Sequence, residues 1–183
     1  MLRLAYILSA SHSGSTLLAM LAGSHPRVFT VGEIKATNLG DVQTYRCSCG
    51  VCIGACGFWR KVSEAMAARD CPFTITDART DFRNVGSRYA DWLLRPLVRD
   101  RFVEFLRDAA LWVSPSWRRA LPEIQRRNLA LVDSLCALTG AEVIVDSSKI
   151  ALRLKYLLRI RDLDVRVIRL IRDGRGVAFS HLD

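Results

Sequence analysis

The stretch EVIVDSSKIALRLKYLLRIRDLDVRVIRLIRDGRGVAFSHL, residues 142–182, decides the fold. Its first run, 142–145, reads as a strand and stops at Asp146-Ser147-Ser148-Lys149. Residues 150–161 space their apolar positions as a helix does. A second strand, 165–171, stops at Arg172-Asp173-Gly174-Arg175, and a helical pattern resumes at 177. Strand, loop, helix, strand, loop, helix is the order of a parallel sheet joined by right-handed crossovers.

The N-terminal end repeats the theme. Residues 2–9 form a nearly continuous apolar run, as a strand buried on both faces requires. A turn-rich loop, 11–15, leads to an apolar helical segment, 16–22, stopped by Gly23 and then Pro26. Residues 28–31 suit a second short strand. Between the two ends the texture differs. Residues 38–57 are irregular and rich in glycine and cysteine, 58–68 look helical, and 71–85 show no period. Residues 87–112 have helical spacing broken at Pro115, and 122–139 read as a further helix with Gly140 as its C-terminal cap. The expected fold is α/β, a three-layer parallel sheet flanked by helices. It is a single domain over residues 1–183 with a mainly helical, cysteine-containing insertion at 40–135.

Composition bounds the function. Of 183 residues 50% are hydrophobic and 25% charged, a globular balance that can bury a core without staples. Lys and Arg number 27 against 18 acids, a net charge of +9, which favours an anionic partner. There is no polybasic run, so nucleic acid is not expected. No apolar run is long enough to span a bilayer. Arg3 followed by residues 4–8 imitates a secretory signal, yet the polar, glycine-containing residues 9–16 read better as a loop after a strand. The expected location is the cytoplasm.

Ligands of open α/β sheets bind beyond the carboxyl ends of the strands. Three polar segments should meet there: 11–16, 146–149 and 172–175. Ser11-His12-Ser13-Gly14-Ser15-Thr16 follows a strand and opens a helix, whose N-terminal N–H groups and dipole attract an anion. Gly14 permits close backbone approach, and Ser13, Ser15 and Thr16 add hydroxyls. The segment lacks the leading Gly and the Lys of a Walker A loop, which argues against ATP or GTP hydrolysis. The alternative is a serine-rich turn that caps a helix. Arg172 can grip a phosphate with its fork and Ser180 can add a hydroxyl, or both can belong to an ordinary exposed turn and helix.

Taken together, these motifs resemble the two nucleotide signatures of the sulfotransferases that use 3′-phosphoadenosine 5′-phosphosulfate (PAPS). Residues 11–16 are similar to the family's 5′-phosphosulfate loop. Arg172 and Ser180, eight apart, match the spacing of its 3′-phosphate-binding Arg and Ser. HPRVFTVGE, residues 25–33, and RDGR, residues 172–175, resemble the tyrosylprotein and carbohydrate branches in particular. The likeness covers roughly residues 4–34 and 142–182. It implies a P-loop-like sheet, an anionic nucleotide as partner, PAPS as co-substrate and no catalytic metal. It also implies Glu33 as the base that deprotonates the acceptor, the alternative being a surface or helix-capping glutamate. Lys149 is implied as the cation on the bridging oxygen, the alternative being a solvated lysine behind a helix N-cap formed by Asp146, Ser147 or Ser148. The family places Lys or Arg before Ser13. Here His12 stands there, either as a protonated substitute with a catalytic role or as a bystander. The acceptor is open among tyrosyl peptide, glycan and small alcohol. Members of the family continue past the second motif, so the resemblance implies that this chain lacks a C-terminal part. The rival readings are a P-loop-type kinase or NTPase, and a catalytically inactive relative acting as a binding module.

Cys47, Cys49, Cys52 and Cys56 crowd into ten residues. Four thiolates suit a structural zinc; disulfides and free thiols are the alternatives. This stretch is expected to brace the acceptor site. Cys71 and Cys136 stand apart.

Overall fold

The computed structural model describes residues 1–34, 44–83, 85–95 and 100–179. Among these residues four strands form one all-parallel sheet: β1 Leu2–Ser9, β2 Val28–Thr30, β3 Val143–Asp146 and β4 Leu163–Leu170, in the order β2-β3-β1-β4. Helices flank it: α1 Ser15–Gly23, α2 Gly57–Ala67, α3 Arg88–Leu94, α4 Arg101–Val113, α5 Pro115–Thr139, α6 Ala151–Leu157 and α7 Gly174–Phe179. A short 3-10 turn, Ile53–Ala55, precedes α2. No helix among the described residues is long and apolar enough to cross a membrane.

Alternate residues of β1 serve opposite faces, as the pleat requires. Ile7 packs with Val145 of β3 and Ala19 of α1 in a thin layer. Leu4, Tyr6 and Ile144 join Val62, Met66, Leu131, Leu135 and Leu157 in the main core, to which α2, α5 and α6 contribute. The continuous apolar run of β1 is thus explained by burial on both sides.

The helical insertion differs in detail from the sequence reading. Residues 87–112 are not one helix: α3 ends at Leu94 and α4 starts anew at Arg101. Asp100 makes the fresh start, its carboxylate accepting from the N–H groups of Phe102 and Val103 at 2.8 and 3.0 Å. Pro115 does more than end a helix, for it also opens α5 behind the Ser114 cap, seven residues before the expected start at 122. Proline's fixed φ and missing N–H suit a first turn. Pro122 then lies inside a 25-residue helix. Gly140, at φ 71°, caps its end as the sequence suggests.

The main core contains a buried ion pair. Arg153 on α6 and Asp146 at the end of β3 are 1% and 0% exposed, with Nε donating to Oδ2 at 2.9 Å. The other guanidinium nitrogens donate to the Thr80 carbonyl and to Asn128 Oδ1, both at 2.7 Å. Asn128 on α5 donates in turn to the carbonyls of Thr80 and Ile124. Asp146 Oδ1 accepts from the Ser148 N–H at 2.8 Å. Beside the pair, the Tyr6 hydroxyl donates to the Ile150 carbonyl and accepts from its N–H, both at 2.9 Å. Burial, then the Asp146 carboxylate, push its ionisation up.

Removing one member of such a pair strands a buried charge. Arg153→Met is expected to lower the unfolding free energy in urea by about 3–5 kcal/mol. Asp146→Leu/Arg153→Met should recover part of that loss, since no lone charge stays inside. A single-variant loss below about 1 kcal/mol would falsify the structural weight given to the pair.

Candidate functional site

The parallel register sets β1, β3 and β4 side by side, with Tyr6 opposite Asp146 and Ser9 opposite Leu170. The loops that follow therefore leave the sheet at the same edge, as the sequence reading requires.

The first loop turns sharply through two left-handed residues, His12 at φ 57° and Gly14 at φ 85°. Glycine takes this conformation freely, whereas histidine is strained in it. Ser13 and Ser15 are buried; Ser11, His12, Gly14 and Thr16 face outward. Gly14 caps α1 without a side-chain hydrogen bond, and the first turn of α1 carries no acid. A helix start of this kind presents N–H groups and the positive end of its dipole to an anion.

Glu33 lies just past β2. The Thr30 hydroxyl donates to the Val145 carbonyl and accepts from the Gly32 N–H, both at 3.2 Å, and Ser147 N–H donates to the Gly32 carbonyl at 3.0 Å. These bonds fasten the Glu33 loop to the loop after β3. There Lys149 reaches across, its Nζ 2.9 Å from Glu33 Oε1. Lys149 is itself left-handed, at φ 63°. The structure brings together the two residues that the resemblance singles out as base and cation. The serines between them behave otherwise: Ser147 and Ser148 are 3% and 1% exposed, and the Ser148 hydroxyl donates to Asp146. Neither Asp146 nor these serines cap α6, whose N-cap is Ile150.

Arg172, beyond β4, is exposed and donates through Nη1 to the His12 carbonyl at 2.7 Å, which joins the third loop to the first. A Cβ on Gly176 would stand 3.1 Å from Arg172 Nε, so glycine there makes room for the guanidinium. Ser180 lies outside the described residues.

A cavity of about 1070 Å³ opens beside these loops. Thr16, Glu33 and Ser147 line one part of its wall, and Cys47, Cys49 and Cys56 another. Between them runs an aromatic row, Phe29–Phe58–Trp59–Phe73, with successive ring centroids 5.5, 5.6 and 6.1 Å apart. The cysteine segment folds back on itself: Cys47 N–H donates to the Val51 carbonyl at 2.9 Å, and Gly50 N–H to the Cys47 carbonyl at 2.8 Å. Cys56 Sγ lies 3.5 Å from Cys47 Sγ and 3.6 Å from Cys49 Sγ, and no disulfide is formed. Burial pushes the Cys56 thiol up, an effect that N–H groups of α2 only partly offset. Burial also acts on Cys47, but there the Cys49 N–H and neighbouring thiols outweigh it and the pKa falls.

Arg153 is the residue that sequence reasoning passed over. Its signal was a basic side chain set among leucines at the middle of an apolar helix, seven residues after Asp146. Ser9 was also missed. Its hydroxyl, at the mouth of the first loop, is buried with no hydrogen-bond partner among the described residues.

A scan against protein-family models finds no match, and searches of curated proteins and of solved structures find no similar chain or fold.

The strain at Lys149 makes a checkable point. A non-glycine residue in the left-handed region costs about 1–2 kcal/mol, whereas a partly exposed ion pair returns about 1 kcal/mol or less. Lys149→Gly is expected to be within about 0.5 kcal/mol of the parent in urea unfolding, or more stable. A loss above about 1 kcal/mol would mean that the ion pair serves stability first.

Proposed function

We propose that this chain is a sulfotransferase that moves a sulfuryl group from PAPS to an acceptor hydroxyl, on a P-loop-like sheet. The observation that carries the reading is the Glu33–Lys149 pair at 2.9 Å, fastened beside a helix start with no side-chain cap on an all-parallel sheet. An acid and a cation at hydrogen-bond distance next to an anion-attracting loop are what group transfer from an anionic donor needs. The resemblance of residues 11–16, 25–33 and 172–175 to the family supplies the identity of the donor.

In this reading the loop 11–16 and the α1 dipole hold the 5′-phosphosulfate, with Thr16 and the backbone N–H groups as donors. Arg172, with Ser180, takes the 3′-phosphate. The acceptor hydroxyl enters through the cavity and attacks sulfur. Its proton passes to Glu33, the new S–O bond forms, and the bond from sulfur to the bridging phosphate oxygen breaks. Lys149 meets the charge left on that oxygen. Lys149 and Glu33 neutralise each other at rest, and the arriving anion draws the ammonium away and leaves the carboxylate free to accept a proton. Transfer of an anionic group depends chiefly on such positioning and charge stabilisation. The aromatic row favours an acceptor with a planar or apolar body, such as a phenol or a tyrosyl side chain, over a glycan.

Calorimetric titration with 3′-phosphoadenosine 5′-phosphate, beside ATP, tests the donor site. The 3′-phosphorylated nucleotide is expected to bind in preference to ATP, and Arg172→Ala to weaken it at least tenfold, about the loss of one charge-assisted contact. Preference for ATP would place the chain among kinases instead. For the chemistry, Glu33→Gln should cut transfer to a phenolic acceptor by roughly 10²–10⁴-fold with nucleotide affinity little changed. Undiminished transfer by that variant removes Glu33 from the reaction.

A further inference from the structure

We propose that Cys47, Cys49 and Cys56 form a zinc site that holds the wall of the cavity in place. Their three sulfurs lie within 4.8 Å of one another, and two of the three separations are 3.5 and 3.6 Å. Zinc–thiolate bonds of about 2.3 Å at tetrahedral angles put sulfurs about 3.8 Å apart. Two sides of the triangle are therefore close to the edge of a zinc tetrahedron, and the third is no longer than 4.8 Å. The triangle does not suit a disulfide, which joins two sulfurs at about 2.05 Å and gives a third no reason to approach both. Cys56 Sγ approaches the other two almost equally.

The backbone arranges this from two sides. The tight turn through Gly50, at φ 87°, and the bridge between Arg46 and Cys52 fold back the loop that carries Cys47 and Cys49. Cys56 comes from the other side, as the N-cap of α2. N–H groups at a helix start ease the gathering of negative sulfurs there. Cys52, which the sequence reading counted as a fourth ligand, lies outside this group, and the fourth position of the ion is left to water. Soft thiolates select zinc over magnesium or calcium.

The segment also needs a fastening. Of residues 44–57 only Ile53 and Cys56 are buried. A stretch with so little core of its own is held by a metal or a cross-link when it is held at all. The same stretch lines the cavity that Glu33 and Thr16 reach. The site stands whether or not the sulfotransferase reading holds, because it rests on the sulfur geometry alone.

Elemental analysis of the full chain purified under reducing conditions tests the proposal, together with titration of the metal-free chain by Co²⁺. One zinc per chain is expected, with a thiolate-to-metal charge-transfer band on adding Co²⁺ that added Zn²⁺ abolishes. Cys49→Ser, at an exposed position that should leave the fold intact, is expected to weaken Zn²⁺ binding at least tenfold; Cys136→Ser should not change it. Chelation should speed protease cleavage within residues 44–57 while the rest of the chain resists. A chain that holds copper or iron in place of zinc overturns the proposal, as does one that binds no Co²⁺ through sulfur. So does a reduced preparation whose intact mass is short of two hydrogens, with a cross-link mapped among these cysteines.

Discussion

The Asp146–Arg153 ion pair is the constraint on which the rest of the molecule depends. Taking both charges out of water costs several kcal/mol per ion, and Coulomb attraction repays this only where every remaining donor finds an acceptor. Here the guanidinium reaches Asp146, Thr80 and Asn128 at 2.7–2.9 Å. These partners belong to three separate parts of the chain: the end of a central strand, the irregular segment before α3, and the middle of α5. One side chain therefore joins the helical insertion to the sheet. A hydrophobic residue of similar size could fill the space, but it would not dictate which carbonyl and which amide come to rest around it.

That constraint reaches the candidate site through two residues of chain. Asp146 Oδ1 accepts from Ser148 N–H at 2.8 Å and from Ile34 N–H at 3.4 Å. The same carboxylate thus anchors the backbone on both sides of the Glu33–Lys149 pair. Anchoring of this kind lets Lys149 persist at φ 63°, a conformation that isolated chain would leave. His12, at φ 57°, is held comparably by Arg172 on its carbonyl. Two of the four left-handed non-glycine residues described, His12 and Lys149, lie where the loops after β1 and β3 meet, and neighbouring hydrogen bonds hold them; the other two, Asp70 and Arg79, lie in the insertion.

How far the sequence could be read follows from the range of the forces involved. β1, α1, β2, β3 and β4 lie within about two residues of where periodicity and turn residues put them, because burial on both faces of a parallel sheet leaves a continuous apolar signature. The meeting of the three loops followed from topology alone. The break between α3 and α4 was harder to see, since the apolar spacing runs across it and only the Asp100 cap marks it. Pro115 reads in the sequence as a break alone, yet the same fixed φ and missing N–H suit a first turn, and here it also opens α5. The buried network could not be assembled from the sequence, although Arg153 among leucines is a signal that something polar is placed there. An Arg inside an apolar helix looks like an exposed position until α5 and the Thr80 loop are folded over it, and those contacts are 25 and 73 residues away in sequence. Glu33 and Lys149 could be singled out only through likeness to a family; their 2.9 Å contact comes from the hydrogen bonds that tie two loops together.

The cations at the site are engaged in contacts that an anion can replace. Arg172 is exposed, and one of its bonds goes to a neutral carbonyl; Lys149 and Glu33 form a pair whose side chains are 23% and 37% exposed. Contacts of this sort contribute about 1 kcal/mol or less, because solvent screens them and long side chains give up freedom to form them. A phosphate or sulfate group offers charge-assisted bonds roughly twice as strong as neutral ones, and the α1 N-terminus adds its dipole. Under the sulfotransferase proposal, that balance is what would let the donor displace these contacts. It could not do so if the same residues were tied as Arg153 is, since breaking a buried pair costs about 3–5 kcal/mol. The fold thus separates two kinds of ion pair by depth: one sealed inside to fix the frame, and one left near the surface, where a charged ligand can compete for it.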